Sequence, residues 1–303
     1  MISFRYHVVS LVAVFLALAL GIVVGTTALN GPITDDLRKR VDAANNDRQK
    51  LTQQLDASRG QNNDANAFVA QFGGAVVKDT LKGKRVLVVS LPGASSTVVG
   101  GIGDEITAAG GAVAGSVTMT ADFFSSARAA DIKSLITNGT QPTGLQYPST
   151  DDAVALGGAL LAYVLTGKGS DTDVATTLSA FTSLQMLQTA GGDQVQTSDR
   201  VVVVGTGTPS DHDVAKSEAT FASAFQQASA TVVVAGDAAS DTGNGLVATI
   251  RADGTLDKTL TTIDNADAAM GQISTVLALS DGAQTGAYGS GPGADSPYPK
   301  LTS

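Results

Sequence analysis

The chain opens with an uninterrupted apolar segment. Residues 8–29 carry no charged side chain. A helix of that length spans about 33 Å, which exceeds the roughly 30 Å of hydrocarbon in a bilayer. The segment is longer than the apolar core of a cleavable signal peptide, although the small residues Thr26, Thr27 and Ala28 keep cleavage open as an alternative. The pattern predicts an uncleaved, single-pass transmembrane anchor over residues 1–30.

Basic residues flank the predicted anchor on both sides. Arg5 precedes it, and Arg38, Lys39 and Arg40 follow it. The positive-inside rule counts both groups, so the charges alone leave the orientation open. The short segment before the span is typical of a signal anchor. We therefore expect a cytoplasmic N-terminus in the plasma membrane, with the bulk of the chain outside the cytoplasm.

Two glycines lie four residues apart inside the predicted span, at Gly21 and Gly25. Glycines at this spacing let two helices approach closely in lipid, so they are predicted as a helix-dimerisation site. The alternative is that glycine is simply frequent in transmembrane helices.

The pattern changes to heptads after the anchor. Apolar residues recur at alternating four- and three-residue steps, which is typical of a coiled coil. The predicted interface comprises Leu37, Val41, Ala44, Leu51 and Leu55, and the same steps continue through Ala65, Val69, Phe72 and Val76. Polar side chains occupy three positions of this seam, at Arg48, Ser58 and Asn62. The sequence predicts a coiled-coil stalk over residues 31–78 and leaves its partner open, but residues 65–76 are expected to pack on the chain's own domain.

The next segment alternates between strands and helices. Valine-rich runs at 85–91, 200–204 and 231–235 are typical of strands buried on both faces. Further strands are expected at 112–118, 259–263 and 273–279, with helical segments between them. This alternation predicts an α/β domain over residues 79–282 with a Rossmann-like, mainly parallel sheet. Residues 283–303 are rich in glycine and proline and are expected to form a flexible tail without regular structure.

Charge and composition narrow the function classes. The net charge of -9 argues against a nucleic-acid partner, which requires a basic surface. The chain contains no cysteine, which excludes disulfides, zinc–thiolate sites and thiol catalysis.

Candidate chemistry is confined to the ends of predicted strands. Gly205, Thr206, Asp237 and Asp281 each follow a predicted strand, and ligands of open α/β sheets bind at the carboxyl edge. They are predicted as a ligand or partner edge, with ordinary turn chemistry as the alternative. The glycine pattern after 204 lacks the third glycine of a dinucleotide fingerprint and the lysine of a P-loop.

Residues 210–213 place a serine, a histidine and two aspartates close together, but the pattern fits a helix cap better than a catalytic group. Ser210 is the predicted cap, with Asp213 three residues later. We therefore expect no catalytic residue, no enzyme activity, no cofactor and no metal site.

The first 21 residues, MISFRYHVVSLVAVFLALALG, resemble the start of the actinobacterial MctB-like proteins, which are named as copper transporters. The glycine-rich residues 286–294 and the order of anchor, stalk and α/β domain are similar as well. The resemblance implies an extracytoplasmic domain and two roles. In the SteB-like branch, the protein pairs with a SteA-like membrane protein and controls daughter-cell separation through a peptidoglycan hydrolase. The other role is copper efflux or homeostasis.

The side chains available as copper ligands help to choose between these two roles. Copper(I) prefers cysteine, methionine or histidine ligands. The chain has no cysteine, its histidines are His7 and His212, and Met119, Met186 and Met270 are isolated in sequence. The hypothesis favoured by sequence is a homodimeric envelope scaffold that pairs with the SteA-like protein; the alternative is a copper-homeostasis component. An enzyme on the Rossmann-like sheet is the least supported hypothesis.

Overall fold

The computed structural model describes residues 4–190, 195–207, 211–228 and 230–300, without the side chains of residues 26–35. Contacts between Cα atoms divide the chain into two compact units, Met1–Asp64 and Ala65–Ser303.

The first unit is helical. Helix α1 comprises Phe4–Val77. Its segment Phe4–Gly25 is long and apolar enough to cross a membrane. This agrees with the predicted single-pass anchor. Additional Cβ atoms at Gly21 and Gly25 would meet nothing within 4 Å, so both positions are open to a neighbouring helix. Pairing of helices is a property of two chains, so the coiled coil and the glycine contact stay predictions.

The second unit is built on a seven-stranded sheet. The strands are β1 (Arg85–Ser90), β2 (Ala112–Met119), β3 (Leu187–Thr189), β4 (Arg200–Val204), β5 (Thr231–Ala235), β6 (Thr261–Ile263) and β7 (Ala287–Tyr288). Their order is β3-β2-β1-β4-β5-β6-β7. All neighbouring strands are parallel except β3, which is antiparallel to β2. The predicted mainly parallel sheet is confirmed, whereas its likeness to a Rossmann fold stays a prediction.

In the described part of the chain, seven α-helices accompany this sheet: α2 (Ser96–Ala108), α3 (Ala129–Asn138), α4 (Ala153–Leu165), α5 (Asp171–Ser183), α6 (His212–Gln227), α7 (Leu246–Ala252) and α8 (Ala269–Leu279).

The two faces of the sheet are buried in separate apolar clusters. In β4, Val201 and Val203 belong to the cluster formed with α3 to α7, whereas Val202 and Val204 belong to the cluster formed with α2 and α8. Successive side chains of a strand point to opposite faces, so a strand covered on both faces needs an unbroken apolar run. This explains the valine-rich segments.

The last turns of α1 belong to the second unit. Val77 is fully buried, and Val69 packs against the cluster of α2 and α8. A side chain at Gly73 would collide with Ile273 of α8, so the absence of a Cβ atom lets the two helices approach. The expectation that residues 65–76 pack on their own domain is therefore met only in part, because Phe72 and Val76 remain exposed.

The strand predicted at 273–279 is wrong, because these residues form most of α8. A short apolar run fits a buried helix as well as a buried strand. The sequence pattern also missed β3, β7 and the short helix α7.

The expectation that residues 283–303 lack regular structure is also wrong for part of that segment. Strand β7 adds to the sheet beside β6, and the following residues contact two buried carboxylates. The carboxylate of Asp264 accepts hydrogen bonds from the backbone N–H groups of Ser290 (2.7 Å) and Gly291 (3.1 Å). Asp241 accepts one from Gly293 at 3.0 Å. The tail is therefore bound to the domain through its backbone.

Arg251 joins these carboxylates. Its Nη1 atom lies 2.8 Å from both Asp241 and Asp264, and the three side chains are only 7%, 3% and 1% exposed. Its Nη2 atom donates to the carbonyl oxygen of Tyr288 at 2.9 Å. We call Asp241, Arg251 and Asp264 the tail clamp.

Arg251→Met is predicted to lower the free energy of unfolding by about 3–5 kcal/mol, because it leaves two carboxylates buried without their cation. Urea unfolding of the full chain in detergent, followed by circular dichroism, measures the change. Lys84→Met removes a surface ion pair to Asp281 of similar length, 3.0 Å, and is expected to cost less than about 1 kcal/mol. Equal losses in the two variants would contradict this role of the clamp.

Candidate functional site

Three of the four residues predicted for the ligand edge do lie at the carboxyl edge of the sheet. Gly205 and Thr206 follow β4, and Asp237 follows the neighbouring β5. The Thr206 side chain faces Gly93, which follows β1; a Cβ atom at Gly93 would lie 3.0 Å from the threonine methyl group. The loops after β1, β4 and β5 are therefore close together, as the sequence predicted.

The side chain of Asp237 is engaged in its own turn. Its Oδ1 atom accepts a hydrogen bond from the backbone N–H of Ala239 at 3.1 Å. Its carbonyl oxygen accepts a hydrogen bond from the Ser240 hydroxyl at 2.6 Å. These contacts match the turn chemistry that was the alternative for this residue. They do not test whether the edge binds a ligand.

Asp281 lies at the opposite, amino edge of the sheet, so the prediction that it joins Asp237 is wrong. It pairs with Lys84 at 3.0 Å and with Arg200, the first residue of β4. The physical reason is the conformation of residues 269–279: as a helix, α8 returns the chain to the edge at which the parallel strands begin. The hydrogen bond from Lys84 and the charge of Arg200 lower the pKa of Asp281 below its ordinary value.

Arg200 is the centre of this second cluster. Its side chain is only 6% exposed, and its Nε atom donates to the carbonyl oxygen of Leu279 at 3.0 Å. Its Nη1 atom pairs with Asp199 at 2.8 Å. The cluster ties the end of α8 to the start of β4, which is a structural role.

The described residues around His212 include a helix cap. The predicted cap, Ser210, lies outside the described residues. The structure shows Asp211 as the N-cap of α6, with its carboxylate accepting a hydrogen bond from the backbone N–H of Asp213 at 3.1 Å. Asp152 caps α4 in the same way.

These two capped helix ends border a cleft that the sequence pattern did not reveal. Its volume is about 520 Å³, and its lining includes Phe123 and Phe124 besides the capping carboxylates. Because both capping carboxylates already accept backbone hydrogen bonds, the arrangement is explained by helix capping.

Within the described part of the chain, no three histidine, cysteine, aspartate or glutamate side chains come together as a metal site would require. The positions of the methionines also give no indication of a copper site. Met119 and Met186 are 1% and 0% exposed and belong to the apolar core.

A second surface feature was also missed by the heptad analysis. The α1/α8 groove has a volume of about 220 Å³ and an apolar lining. Helix α1 contributes Phe68, Val69, Phe72, Gly73 and Val76, helix α8 contributes Met270, Ile273, Ser274 and Leu277, and Tyr298 completes the lining. Phe68 was the available signal, because it adds an apolar residue outside the strict seam.

Comparison with known proteins identifies the family. Residues 1–299 match the family described as "Copper transport outer membrane protein, MctB". The chain belongs to the MctB family. It is 32% identical over 307 residues to the copper transporter MctB of Mycobacterium tuberculosis and to that of Mycobacterium bovis, with 97% of this chain and 98% of each relative covered. The corresponding protein of Mycobacterium leprae is 31% identical over 312 residues, with 98% of both chains covered.

The predicted resemblance to MctB-like proteins is therefore confirmed, whereas the SteB-like branch gains no support. The relatives described above carry the copper transporter name, so the comparisons favour copper homeostasis over the SteA-paired role in cell separation. The family is described as a membrane protein, which agrees with the apolar helix Phe4–Gly25.

One buried acid in this MctB-family domain has a displaced pKa. Glu218 lies on α6 and is 3% exposed, and its burial raises the pKa of the carboxyl group from 4.5 to about 7. The unfolded chain releases this proton more readily than the folded one. The acid therefore costs no stability below about pH 4.5, and folding stability falls as the pH rises from there to about 7.

Glu218→Gln is predicted to raise the free energy of unfolding at pH 8 by about 3 kcal/mol and to have little effect near pH 4, because the amide does not ionise. Thermal melts of the full chain in detergent across this range measure the difference. The exposed Asp104→Asn is the control, with an expected change of less than about 0.5 kcal/mol. An increase in the free energy of unfolding that is the same at every pH would show that the burial of a charge is not the cause.

Proposed function

We propose that this protein is a membrane-anchored component of copper homeostasis in the cell envelope, with its α/β domain on the extracytoplasmic side. The observation that carries the proposal is the match of residues 1–299 to the MctB family, together with 32% identity over nearly the whole length of relatives named copper transporters. Support for the anchor comes from the 22-residue apolar segment of α1.

The residues favour an accessory or assembly role over a channel formed by one chain. Copper(I) requires soft or imidazole ligands. Among the described residues, no three histidine, cysteine, aspartate or glutamate side chains come together, and Met119 and Met186 are buried in the apolar core. A single apolar helix also has no polar face to line an ion pathway. We therefore propose that the protein acts on copper through an assembly, with a second copy of itself or with another envelope protein.

Deletion of the gene is predicted to lower the copper concentration that the host tolerates and to raise its cell-associated copper, whereas zinc tolerance stays unchanged. Growth curves and elemental mass spectrometry measure these effects. The wild-type gene and His212→Gln are both expected to restore tolerance, because His212 has no histidine, cysteine or acidic group arranged with it as a metal site.

Normal copper tolerance and copper content in the deletion strain would contradict the copper proposal. If that strain instead grew as unseparated chains of cells, the SteA-paired role in cell separation would be favoured. Microscopy of the same cultures therefore tests the second hypothesis alongside the first.

We further propose that α1 pairs with the α1 helix of a second copy. The support is the exposure of large apolar side chains at seam positions: Leu37 is 60% exposed, Val41 51%, Leu51 66% and Leu55 49%. A polar stalk would not need such residues, and heptad pairing removes them from water. Gly21 and Gly25 would permit a close helix contact within the membrane.

The double variant Leu51→Asp/Leu55→Asp is predicted to convert the dimer to monomer, because it would place charges in the seam. Analytical ultracentrifugation of the full chain in detergent measures the mass. Gln53→Asp adds a charge at an outward heptad position and is expected to leave the dimer intact. A wild-type chain that sediments as a monomer at all accessible concentrations would contradict the pairing.

A further inference from the structure

The α1/α8 groove leaves large apolar side chains exposed to water in the second unit. Phe68 is 63% exposed, Phe72 49%, Val76 63% and Tyr298 51%. The rings of Phe68 and Phe72 lie 4.7 Å apart and form a continuous apolar surface. No charged residue lines the groove among the residues described. A contiguous apolar surface of this kind is typical of an interaction site.

The groove is built into the packing of the domain. On one side of α1, Val69, Gly73 and Val77 contact or enter the domain core. Phe68, Phe72 and Val76 lie beside that buried side and remain exposed. The same helix therefore packs on its own domain with one side and presents a second apolar side outward.

The heptad register identifies what that second side could meet. The steps of four and three residues run from Leu37 to Val76 without a break in spacing. Phe72 and Val76 therefore occupy d and a positions of the seam that Leu51 and Leu55 occupy earlier in the helix, whereas Val69, at the preceding a position, packs against the domain. Asn62 falls at an a position, where asparagine fixes the register of parallel helices.

The anchor fixes the direction of pairing. Among the described residues, one segment close to the N-terminus is long and apolar enough to cross a membrane. Two copies anchored by it in the same membrane would present their α1 helices in parallel. Two identical apolar patches related by a twofold axis are self-complementary. This arrangement brings each groove against the same seam of the other copy.

We propose that the α1/α8 groove is an interface with a second copy of this chain, in which Phe72 and Val76 continue the α1 seam from the stalk onto the domain. This inference rests on the helix pairing proposed above and extends it to the domain. The occupant is a second copy rather than a small apolar ligand because the seam residues of the groove share one register with the stalk.

The exposed area of the groove indicates whether it can hold two copies together by itself. The three rings, each about half exposed, offer roughly 300 Å² per copy, since an aromatic side chain has about 150–250 Å² to bury. A stable interface needs about 800 Å² per partner. The groove alone is therefore too small to hold two copies together, and its pairing depends on the seam of residues 37–55.

Cysteine cross-linking in membranes tests the proposal, because the chain contains no cysteine of its own. Val76→Cys places a thiol at an a position beside the groove, and Gln71→Cys places one at an exposed c position of the same helix. Under mild oxidation, Val76→Cys is expected to form at least about fivefold more disulfide-linked dimer, because only a and d positions approach their counterparts closely enough.

Leu55→Cys reports on the stalk separately. Efficient cross-linking at Leu55→Cys with no excess at Val76→Cys over Gln71→Cys would overturn the groove interface and leave the stalk dimer intact. No excess at either position would contradict both the stalk pairing and the groove interface. The copper-tolerance assay depends on neither result and tests the copper proposal separately.

A fluorescence measurement tests the groove interface without depending on the folding of a cysteine variant. The chain contains no tryptophan, so Phe72→Trp provides a single reporter. Its emission is expected to shift to longer wavelength when Leu51→Asp/Leu55→Asp is added, because the ring would become exposed to water. An emission maximum that is unchanged between these two forms would count against the groove interface.

Discussion

Burial of the sheet on both faces is the constraint on which the domain depends. Because β1, β4 and β5 are parallel central strands, both sets of their side chains must be covered by helices. One apolar cluster lies on each face, and the alternation of Val201 to Val204 between the clusters shows how a single strand serves both. The last turns of α1 join α2 and α8 on one face, so this helix contributes Val77 to the domain core.

The Arg200 cluster and the tail clamp stabilise buried charge in different ways. At the amino edge of the sheet, Arg200 is buried but its partners Asp199 and Asp281 are exposed, so water shares in solvating the cluster. In the tail clamp, all three charged side chains are buried. Backbone N–H groups donate to the two carboxylates, and Arg251 donates to the Thr262 hydroxyl and the Tyr288 carbonyl oxygen. A glycine-rich segment suits that task because side chains at Gly289 and Gly291 would collide with the clamp carboxylates.

The sequence predicted the features that depend on long apolar patterns. The apolar helix Phe4–Gly25 and the valine strands carry such patterns, and the structure agrees with them. It agrees only in part with the predicted packing of residues 65–76, because Phe72 and Val76 remain exposed. Residues 273–279 were misassigned because a seven-residue apolar run has no decisive period. That error moved Asp281 to the wrong edge, since the direction of the chain reverses when α8 is taken for a strand. The tail clamp was unpredictable for another reason. Asp241, Arg251 and Asp264 meet only through the tertiary fold, and in the tail their partners are backbone groups of Tyr288, Ser290, Gly291 and Gly293.

The family match points to copper transport, whereas the described side chains do not form a recognisable metal site. The relatives are named for copper transport, yet the described residues bring together no three histidine, cysteine, aspartate or glutamate side chains. The two observations agree if copper is handled by an assembly. The proposed anchor would supply a physical route to assembly, because copies confined to one membrane meet at a high effective concentration and in parallel orientation. In the proposed pairing, a seam interrupted by Arg48, Ser58 and Asn62 would need only modest affinity, and its polar positions would serve to fix the register. The proposed groove interface would extend that pairing onto the domain.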